Sequence, residues 1–245
     1  MAVTLEVCVD SAEGLAAAVE GGADRVELCS ALALGGLTPS VGFMGQAASC
    51  GVPVMAMIRP RVGDFNWSEA ELRAMETDIA AARTSGLAGV VLGASLPDGR
   101  LDVGALARLV SVARGLDLTL HRCFDLVPDM DRAVDAAVAL GFRRILTSGG
   151  EATALAGANR IAALVARAAG RIAIMAGSGV TAANAPGILA AEVREVHGSC
   201  AISVAVSGKG AEMGFGPMVE RRTSATKVRA LKQVMEDWGG DQRHL

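Results

Sequence analysis

Charged and sulfur-bearing residues interrupt two apolar segments near the start of the chain at every second position. The segments are Leu5-Glu6-Val7-Cys8-Val9-Asp10 and Arg25-Val26-Glu27-Leu28-Cys29. Because strand side chains alternate between faces, one face of each segment is apolar and the other is ionisable. Burying an unpaired carboxylate is costly, so these side chains are expected to line a site that holds water, a metal ion or a ligand.

Cys8 and Cys29 are a candidate pair of metal ligands. If the first two strands are neighbours, their backbones run about 4.8 Å apart. Inward thiols at similar heights would then contact one soft ion such as Cu(I). The alternative interpretation is that each cysteine is a small buried apolar side chain, a common role for a free thiol.

Two of the three histidines fall in or directly after predicted strands. If the fifth strand runs through residue 124, His121, Cys123 and Asp125 share one face, which suits a carboxylate that orients an imidazole. His197 follows the same alternation in the eighth strand. Each histidine is a candidate general acid or base or a metal ligand, and the alternative is a hydrogen-bonded core histidine.

The carboxylates Glu6 and Glu27 are expected on the inward face of the first two strands. One interpretation is an internal ion pair, with Arg59 of the third strand as the partner. The other is a catalytic or ligand-binding role, in which Glu27 acts as a general base.

Arginines and glycines after the later strands are candidates for holding an anion. Guanidinium groups bind carboxylate or phosphate in a bidentate manner. Backbone N–H groups in glycine-rich loops can also cradle an anion, although tight turns need glycine for positive φ angles in any case. The candidate substrate-binding residues are Arg59, Arg61, Ser148, Gly149, Gly177 and Gly179.

Strand-like and helix-like segments alternate along the whole chain. The predicted strands are 5–10, 25–30, 52–60, 89–95, 117–124, 143–148, 171–176 and 192–199; the predicted helices are 12–20, 39–49, 68–85, 102–114, 130–140, 155–168, 183–190 and 222–237. Eight such repeats in 245 residues predict an α/β fold, a single-domain TIM (β/α)8 barrel over residues 1–238, with a frayed tail at 239–245. The alternative, a doubly wound open sheet, would carry a glycine fingerprint after the first strand, and this chain has none there.

Composition excludes several classes of protein. The net charge is −3, basic residues are scattered, and aromatic residues make up only 3% of the chain, so we expect no nucleic-acid partner. The absence of a long uninterrupted apolar segment indicates no membrane partner. Five cysteines without a C-x-x-C pair are expected to be reduced thiols, and the N-terminus lacks a signal-like segment, so we expect a cytoplasmic protein.

Several longer motifs, in order, resemble the copper homeostasis protein CutC family. They are Glu6-Val7-Cys8-Val9-Asp10-Ser11, Gly21-Gly22-Ala23-Asp24-Arg25-Val26-Glu27-Leu28-Cys29, Gly35-Gly36-Leu37-Thr38-Pro39-Ser40, Met57-Ile58-Arg59-Pro60-Arg61-Val62-Gly63-Asp64-Phe65, His121-Arg122-Cys123-Phe124-Asp125 and Arg144-Ile145-Leu146-Thr147-Ser148-Gly149-Gly150. The chain departs from the family pattern at Cys123, where such proteins usually have alanine, and at Ala176 and Ser178, where they tend to have proline and glycine.

The resemblance implies a TIM barrel, a cytoplasmic location and a role in copper handling, with Cys8 and Cys29 as candidate Cu(I) ligands and no organic cofactor. Two hypotheses stay open. The first is a Cu(I)-binding or trafficking protein. The second is an enzyme acting on a small anionic, phosphorylated or carboxylated metabolite, with Glu27, His121 and His197 as candidate acid and base groups and Asp125 orienting an imidazole. A third interpretation is a non-catalytic scaffold. We also expect a homodimer that forms through the outer helices.

Overall fold

Eight parallel strands close into a barrel in a computed structural model that describes residues 3–241. The strands are β1 (Thr4–Val9), β2 (Arg25–Leu28), β3 (Val54–Met57), β4 (Gly89–Leu92), β5 (Asp117–Leu120), β6 (Arg144–Thr147), β7 (Ala173–Ala176) and β8 (Glu195–Gly198). Each strand pairs with the next, and β8 pairs with β1 to complete the ring. The TIM-barrel prediction is confirmed.

Helices follow the strands on the outside. They are α1 (Ala12–Glu20), α2 (Val41–Ala47), α3 (Glu69–Thr84), α4 (Val103–Val112), α5 (Met130–Leu140), α6 (Ala158–Ala168), α7 (Ala185–Leu189), α8 (Lys209–Glu212) and α9 (Ala225–Asp241). Helix α3 begins at a capping box, in which Ser68 Oγ accepts from Glu71 N and the Glu71 carboxylate accepts from Ser68 N. Among the described residues, no helix combines the length and apolar character that crossing a bilayer requires.

Three parts of the chain differ from the sequence prediction. An antiparallel hairpin, β9 (Ala201–Ala205) with β10 (Val219–Thr223), follows the barrel and was not predicted. Strand β5 ends at Leu120, and a 3-10 helix over Arg122–Leu126 replaces its predicted continuation. Helix α9 continues through Asp241 into the predicted frayed tail, whose residues 242–245 lie outside the described part of the chain.

Side chains along each strand alternate between two environments. In β3, Val54 and Ala56 pack outward with the helices in the main core, while Met55 and Met57 point into the barrel. The two methionines form a separate interior cluster with Cys29 and Val91. The alternation that the sequence indicated therefore separates a helix-facing core from a barrel interior that holds sulfur atoms and charges.

A chain of buried ion pairs crosses the lower barrel interior. Arg25 Nε lies 2.5 Å from Glu6 Oε2, and the Arg25 guanidinium also pairs with Glu195. Arg144 continues the chain, 3.0 Å from Glu195 Oε2 and 2.7 Å from Asp117 Oδ2. The predicted partner of Glu6, Arg59, is wrong, because Arg25 occupies the directly adjacent position on β2.

Candidate functional site

Three donor side chains meet at the carboxyl end of the barrel. Cys8 of β1 lies beside Glu27 of β2 in the strand register, and His197 of β8 lies on the other side of β1, beside Glu6. One ligand atom from each of Cys8, Glu27 and His197 lies within 4.8 Å of the other two. These three residues, called the donor group below, are only 7%, 3% and 9% exposed. They offer sulfur, oxygen and nitrogen donors at spacings that one metal ion can span.

Hydrogen bonding fixes the orientation of the His197 ring. Nδ1 lies 2.8 Å from Glu6 Oε1, and Nε2 lies 3.8 Å from Glu27 Oε2. Metal-binding histidines usually donate their second N–H to a carboxylate in this way. The contact to Glu6 therefore leaves Nε2 as the nitrogen available to a metal ion or a substrate proton.

The charges around the donor group shift its proton affinities. Burial alone would lower the pKa of His197, but Cys8 and Glu27 beside it and its hydrogen bonds raise that pKa well above the usual range. Burial also dominates at Glu27 and raises its pKa. At Glu6 the effect of burial is outweighed by the hydrogen bond from His197 and the charge of Arg25, which lower its pKa to about 2. Glu6 is thus a fixed negative charge, whereas Glu27 and His197 are suited to exchanging protons.

Cys29 lies next to the donor group rather than level with Cys8. It comes two residues after Glu27, beyond the end of β2, and its thiol donates to Glu27 Oε2 over 3.5 Å. Burial and the nearby Glu27 raise the pKa of Cys29 well above its usual value. The register places Glu27 directly beside Cys8, and Cys29 follows Glu27 by two residues.

Glu27 has one carboxylate oxygen without a partner. Oε1 is buried and, among the described atoms, accepts no hydrogen bond. A buried acceptor in this state costs about 1–3 kcal/mol unless something binds to it. This orphaned oxygen is the strongest sign that the donor group is built to receive a ligand.

His121 and Asp125 are separate from the donor group and from each other. Because β5 ends at Leu120, His121 caps the following 3-10 helix, and its Nδ1 accepts from Cys123 N over 3.1 Å. Its Nε2 is buried without a partner in the described structure, and its ring lies 4.6 Å from that of Phe65. The expectation that Asp125 orients this imidazole is wrong.

The carboxylate of Asp125 occupies the predicted anion-binding loop. It accepts from Ser148 N at 3.1 Å, from Gly150 N at 3.2 Å and from Thr147 Oγ1 at 2.5 Å. Gly149 N donates instead to Thr147 Oγ1. The prediction that Ser148 and Gly149 bind a substrate anion is therefore corrected, because an internal anion already satisfies this loop.

Gly177 is required for packing. Its N–H donates to Thr147 O in the ladder, and a Cβ at this position would lie 2.5 Å from Leu146 Cδ1 and 3.2 Å from His197 Cβ. Gly177 therefore allows His197 to approach β7 and does not offer a free N–H to a substrate. Gly179, two residues later, lines an open cavity beside the donor group.

The two arginines predicted to clamp an anion have internal partners. Arg59 donates to the backbone oxygens of Leu34, Gly36 and Gly63, although its Nε stays buried without a partner. Arg61 pairs with Glu71 and Asp64 at the rim. Both side chains stabilise the loop after β3, so neither forms the substrate clamp that we expected.

Sequence reasoning did not select Arg25, Arg144 and Glu195 as functional residues, although they fix Glu6 beneath His197. The sequence did contain a signal for them, because all three residues occupy the alternate positions of predicted strands whose side chains point into the barrel. It also did not select Arg221 and Lys227, which line the cavity beside the donor group. Arg221 lies on β10, in the hairpin that was not predicted.

The chain matches proteins of known family along most of its length. A family model described as the CutC family matches residues 3–202. A family protein CutC from Sinorhizobium medicae (strain WSM419) is 54% identical over 236 residues, which is 96% of each chain. One from Caulobacter vibrioides (strain NA1000 / CB15N) is 53% identical over 240 residues, covering 95% of this chain and 98% of the relative.

Solved structures agree with this relationship. A crystal structure from Streptococcus agalactiae, described provisionally as the copper homeostasis protein CutC, is 37% identical with a TM-score of 0.77 and covers 80% of this chain and 98% of its own. Deoxyribose phosphate aldolase from Aeropyrum pernix, at 14% identity and a TM-score of 0.62, covers 96% of this chain and 89% of its own, and shares the fold alone. The chain belongs to the CutC family.

Proposed function

We propose that this protein binds Cu(I) at the donor group as part of copper homeostasis. The observation that carries the proposal is the convergence of Cys8, Glu27 and His197 on a point where their ligand atoms lie within 4.8 Å of one another. Copper enters as the candidate ion because the Streptococcus agalactiae relative is described, provisionally, as a copper homeostasis protein.

The surrounding sulfur atoms favour a soft ion. Cys29, Met55 and Met57 belong to one cluster inside the barrel, and the Cys29 thiol lies 3.5 Å from Glu27. Thiolate and thioether ligands select Cu(I) over hard cations. The mixed sulfur, nitrogen and oxygen set of the donor group would also accept Zn²⁺. A comparison of the two ions is therefore part of the test.

Metal binding at this site would release protons. A cysteine binds metal as the thiolate and a histidine binds in its neutral form. His197, whose pKa is raised by its acidic neighbours, would give up its Nε2 proton to the solvent as the ion enters. Glu6 would keep the ring in place through Nδ1.

An anaerobic Cu(I) titration against a strong competing chelator tests the proposal. We expect tight binding by the wild type, loss of that binding in Cys8→Ser, and a smaller loss in Cys29→Ser. Cys50→Ser is the matched control, since this thiol lies outside the barrel interior and contacts Val52 O. Cys8→Ser binding Cu(I) as tightly as Cys50→Ser would refute the site. Tighter binding of Zn²⁺ than of Cu(I) at the same residues would show that zinc, and not copper, is the ion of this site.

The free thiols also support a reducing compartment. All five cysteines are unpaired, four of them buried, which suits the cytoplasm. We also propose a homodimer that forms through the outer helices. Light scattering coupled to size exclusion would test it, and a monomer at micromolar concentration would contradict it.

A second candidate function is proton-transfer catalysis on a small anionic metabolite. The observation that favours it is the unpartnered, buried Oε1 of Glu27, whose raised pKa suits a group that takes up and returns a proton. His197 Nε2, 3.8 Å from the other oxygen, would be the partner acid.

Incubation of pooled anionic metabolites in D2O, followed by proton NMR, tests the second candidate. We expect the wild type to remove one carbon-bound proton signal by exchange and Glu27→Gln to leave it. An unchanged spectrum for every pool with metal-free and metal-loaded wild type would contradict catalysis of this kind.

A further inference from the structure

A cavity of about 570 Å³ opens beside the donor group between the ends of β7 and β8 and the start of α9. Cys8 and His197 form part of its wall next to the barrel interior. Its volume falls within the range of roughly 300–1,000 Å³ that is usual for small-molecule sites. Of the donor group only Cys8 and His197 line this space, and Glu27 does not, so the remainder of the cavity can hold a ligand of its own.

The cavity wall is basic. Arg122, Arg221 and Lys227 line it, and none of the described lining residues is an aspartate or glutamate. Arg122 is already paired with Asp125, 2.6 Å away. Arg221 and Lys227, by contrast, form no ion pair with any residue in the described chain, and the only hydrogen bond of the Arg221 side chain there is to Ser199 Oγ at 3.4 Å.

Arg221 and Lys227 are exposed and lack an acidic partner, whereas most arginines in the described part of the chain have one. On the same strand, Arg222 pairs with Glu220 at 2.8 Å, and on the same helix Arg229 pairs with Glu20 at 3.2 Å. The two cations that face the cavity are thus distinguished from their sequence neighbours by having no counter-charge. A positively charged concave wall raises the local concentration of anions.

We infer that this cavity binds a small phosphate monoester, with its phosphoryl group between Arg221 and Lys227. A phosphate monoester carries about two negative charges at pH 7, which matches the two unpaired cations. The hydroxyl groups of Thr181 and Ser199 line the same space and can donate to phosphoryl oxygens, whereas the Ser178 hydroxyl already donates to Ala152 O at 2.8 Å.

The rest of the ligand would contact an apolar wall. Leu146, Val180 and Leu231 line the cavity, which is far larger than a phosphate ion needs. The ester group would therefore lie toward Cys8 and His197, whose donor atoms are at the inner end. This phosphate site does not depend on the metal-binding proposal. For the second candidate function, it is the position that the anionic group of the substrate would occupy.

Both cations lie outside residues 3–202, the part of the chain that the family model matches. Arg221 belongs to β10 of the hairpin, which contacts α1, and Lys227 belongs to α9, which contacts α1 and α7. Both cations of the proposed phosphate site therefore come from this C-terminal part of the chain.

Isothermal titration of the metal-free full-length protein, at fixed ionic strength, tests the inference. The probes are glycerol 3-phosphate, inorganic phosphate and, as the uncharged counterpart, glycerol. We expect both phosphate probes to bind, glycerol 3-phosphate the more tightly, and glycerol to give no heat. Arg221→Gln and Lys227→Gln should each weaken glycerol 3-phosphate binding about tenfold or more, because each removes a charged hydrogen-bond donor.

Arg222→Gln and Arg229→Gln are the matched controls, since each removes one positive charge from the same element without changing the cavity wall. Their affinities should stay within about twofold of the wild type, because exposed pairs contribute little. The inference is overturned if neither phosphate probe binds, or if the control variants lose as much affinity as Arg221→Gln and Lys227→Gln. Thermal unfolding of all four variants verifies folding, and either cavity variant alone suffices for the comparison. The Cu(I) titration and the D2O exchange do not depend on this result.

Discussion

His121 and His197 are buried imidazoles with opposite electrostatic surroundings. Burial would lower the pKa of His197, but Cys8 and Glu27 beside it and its hydrogen bond to Glu6 raise that pKa. His121 is desolvated and close to the Arg59 charge, and these two effects lower its pKa to about 3. At neutral pH His121 is therefore a neutral ring that accepts a hydrogen bond from Cys123 N. The two residues are not interchangeable candidates for one catalytic role.

His121 should make stability decrease in acid. Below pH 6.5 the unfolded chain protonates this ring while the folded protein excludes the proton until about pH 3. Its contribution is thus fully present above pH 6.5 and falls by up to about 1.4 kcal/mol per pH unit below it. Urea unfolding of the wild type and His121→Asn at pH 7, 6, 5 and 4 measures this difference. Asparagine keeps an acceptor for Cys123 N, and parallel stability curves for the two proteins would contradict the pKa assignment.

Alternation along the strands predicted much of the site at the level of single residues. It placed Glu6, Cys8, Glu27 and His197 inside the barrel, where the structure brings them together. It failed for His121 and Asp125, because the strand ends at Leu120 and a 3-10 helix begins at Arg122, where the two-residue period no longer applies. Spacing alone also cannot show that a loop is filled by an internal carboxylate, as happens with Asp125.

The positions of helices and strands were predictable where burial of one face makes apolar residues recur at a regular spacing. The eight barrel strands and most helices follow the sequence pattern, because one face of each is apolar. The hairpin of β9 and β10 lacks that signal, since the two strands are largely exposed and pair only with each other. The arginine on β10 that lines the cavity was missed for the same reason.

The end of α6 offers a test at the level of one helix. Its C-cap, Ala169, has a φ of 47°, a left-handed conformation that costs a residue with a Cβ about 1–2 kcal/mol. Ala169→Gly should therefore raise the free energy of unfolding by about 0.5–1 kcal/mol after the entropy cost of glycine. Urea denaturation measures the change. Ala163→Gly, at an exposed position inside the same helix, should lower it by about 1 kcal/mol, and equal signs for both variants would contradict this account.

Charge organisation links the whole barrel to the site. The ion-pair chain joins Glu6 of β1, Arg25 of β2, Glu195 of β8, Arg144 of β6 and Asp117 of β5. Buried pairs of this kind need close geometry on every side, so they specify the register of the strands that contribute them. The same chain holds Glu6 under His197, and the fold and the donor group are therefore built from one network.

Removing the centre of this network should destabilise the entire molecule. Arg25→Met leaves Glu6 and Glu195 without their shared cation in a buried environment. We expect a loss of about 3–5 kcal/mol in the free energy of unfolding, measured by urea denaturation. Arg229→Met, which breaks the exposed pair with Glu20, should cost less than about 1 kcal/mol. Similar losses for the two variants would show that the interior network has no special role.

The most direct test of the proposed function is a crystal of the protein grown anaerobically with Cu(I) and examined by anomalous scattering at the copper edge. The account predicts one strong peak bonded to Cys8 Sγ and His197 Nε2, with Glu27 or Cys29 completing the ligands. A map with copper only on surface residues, or none above background in the barrel, would contradict it.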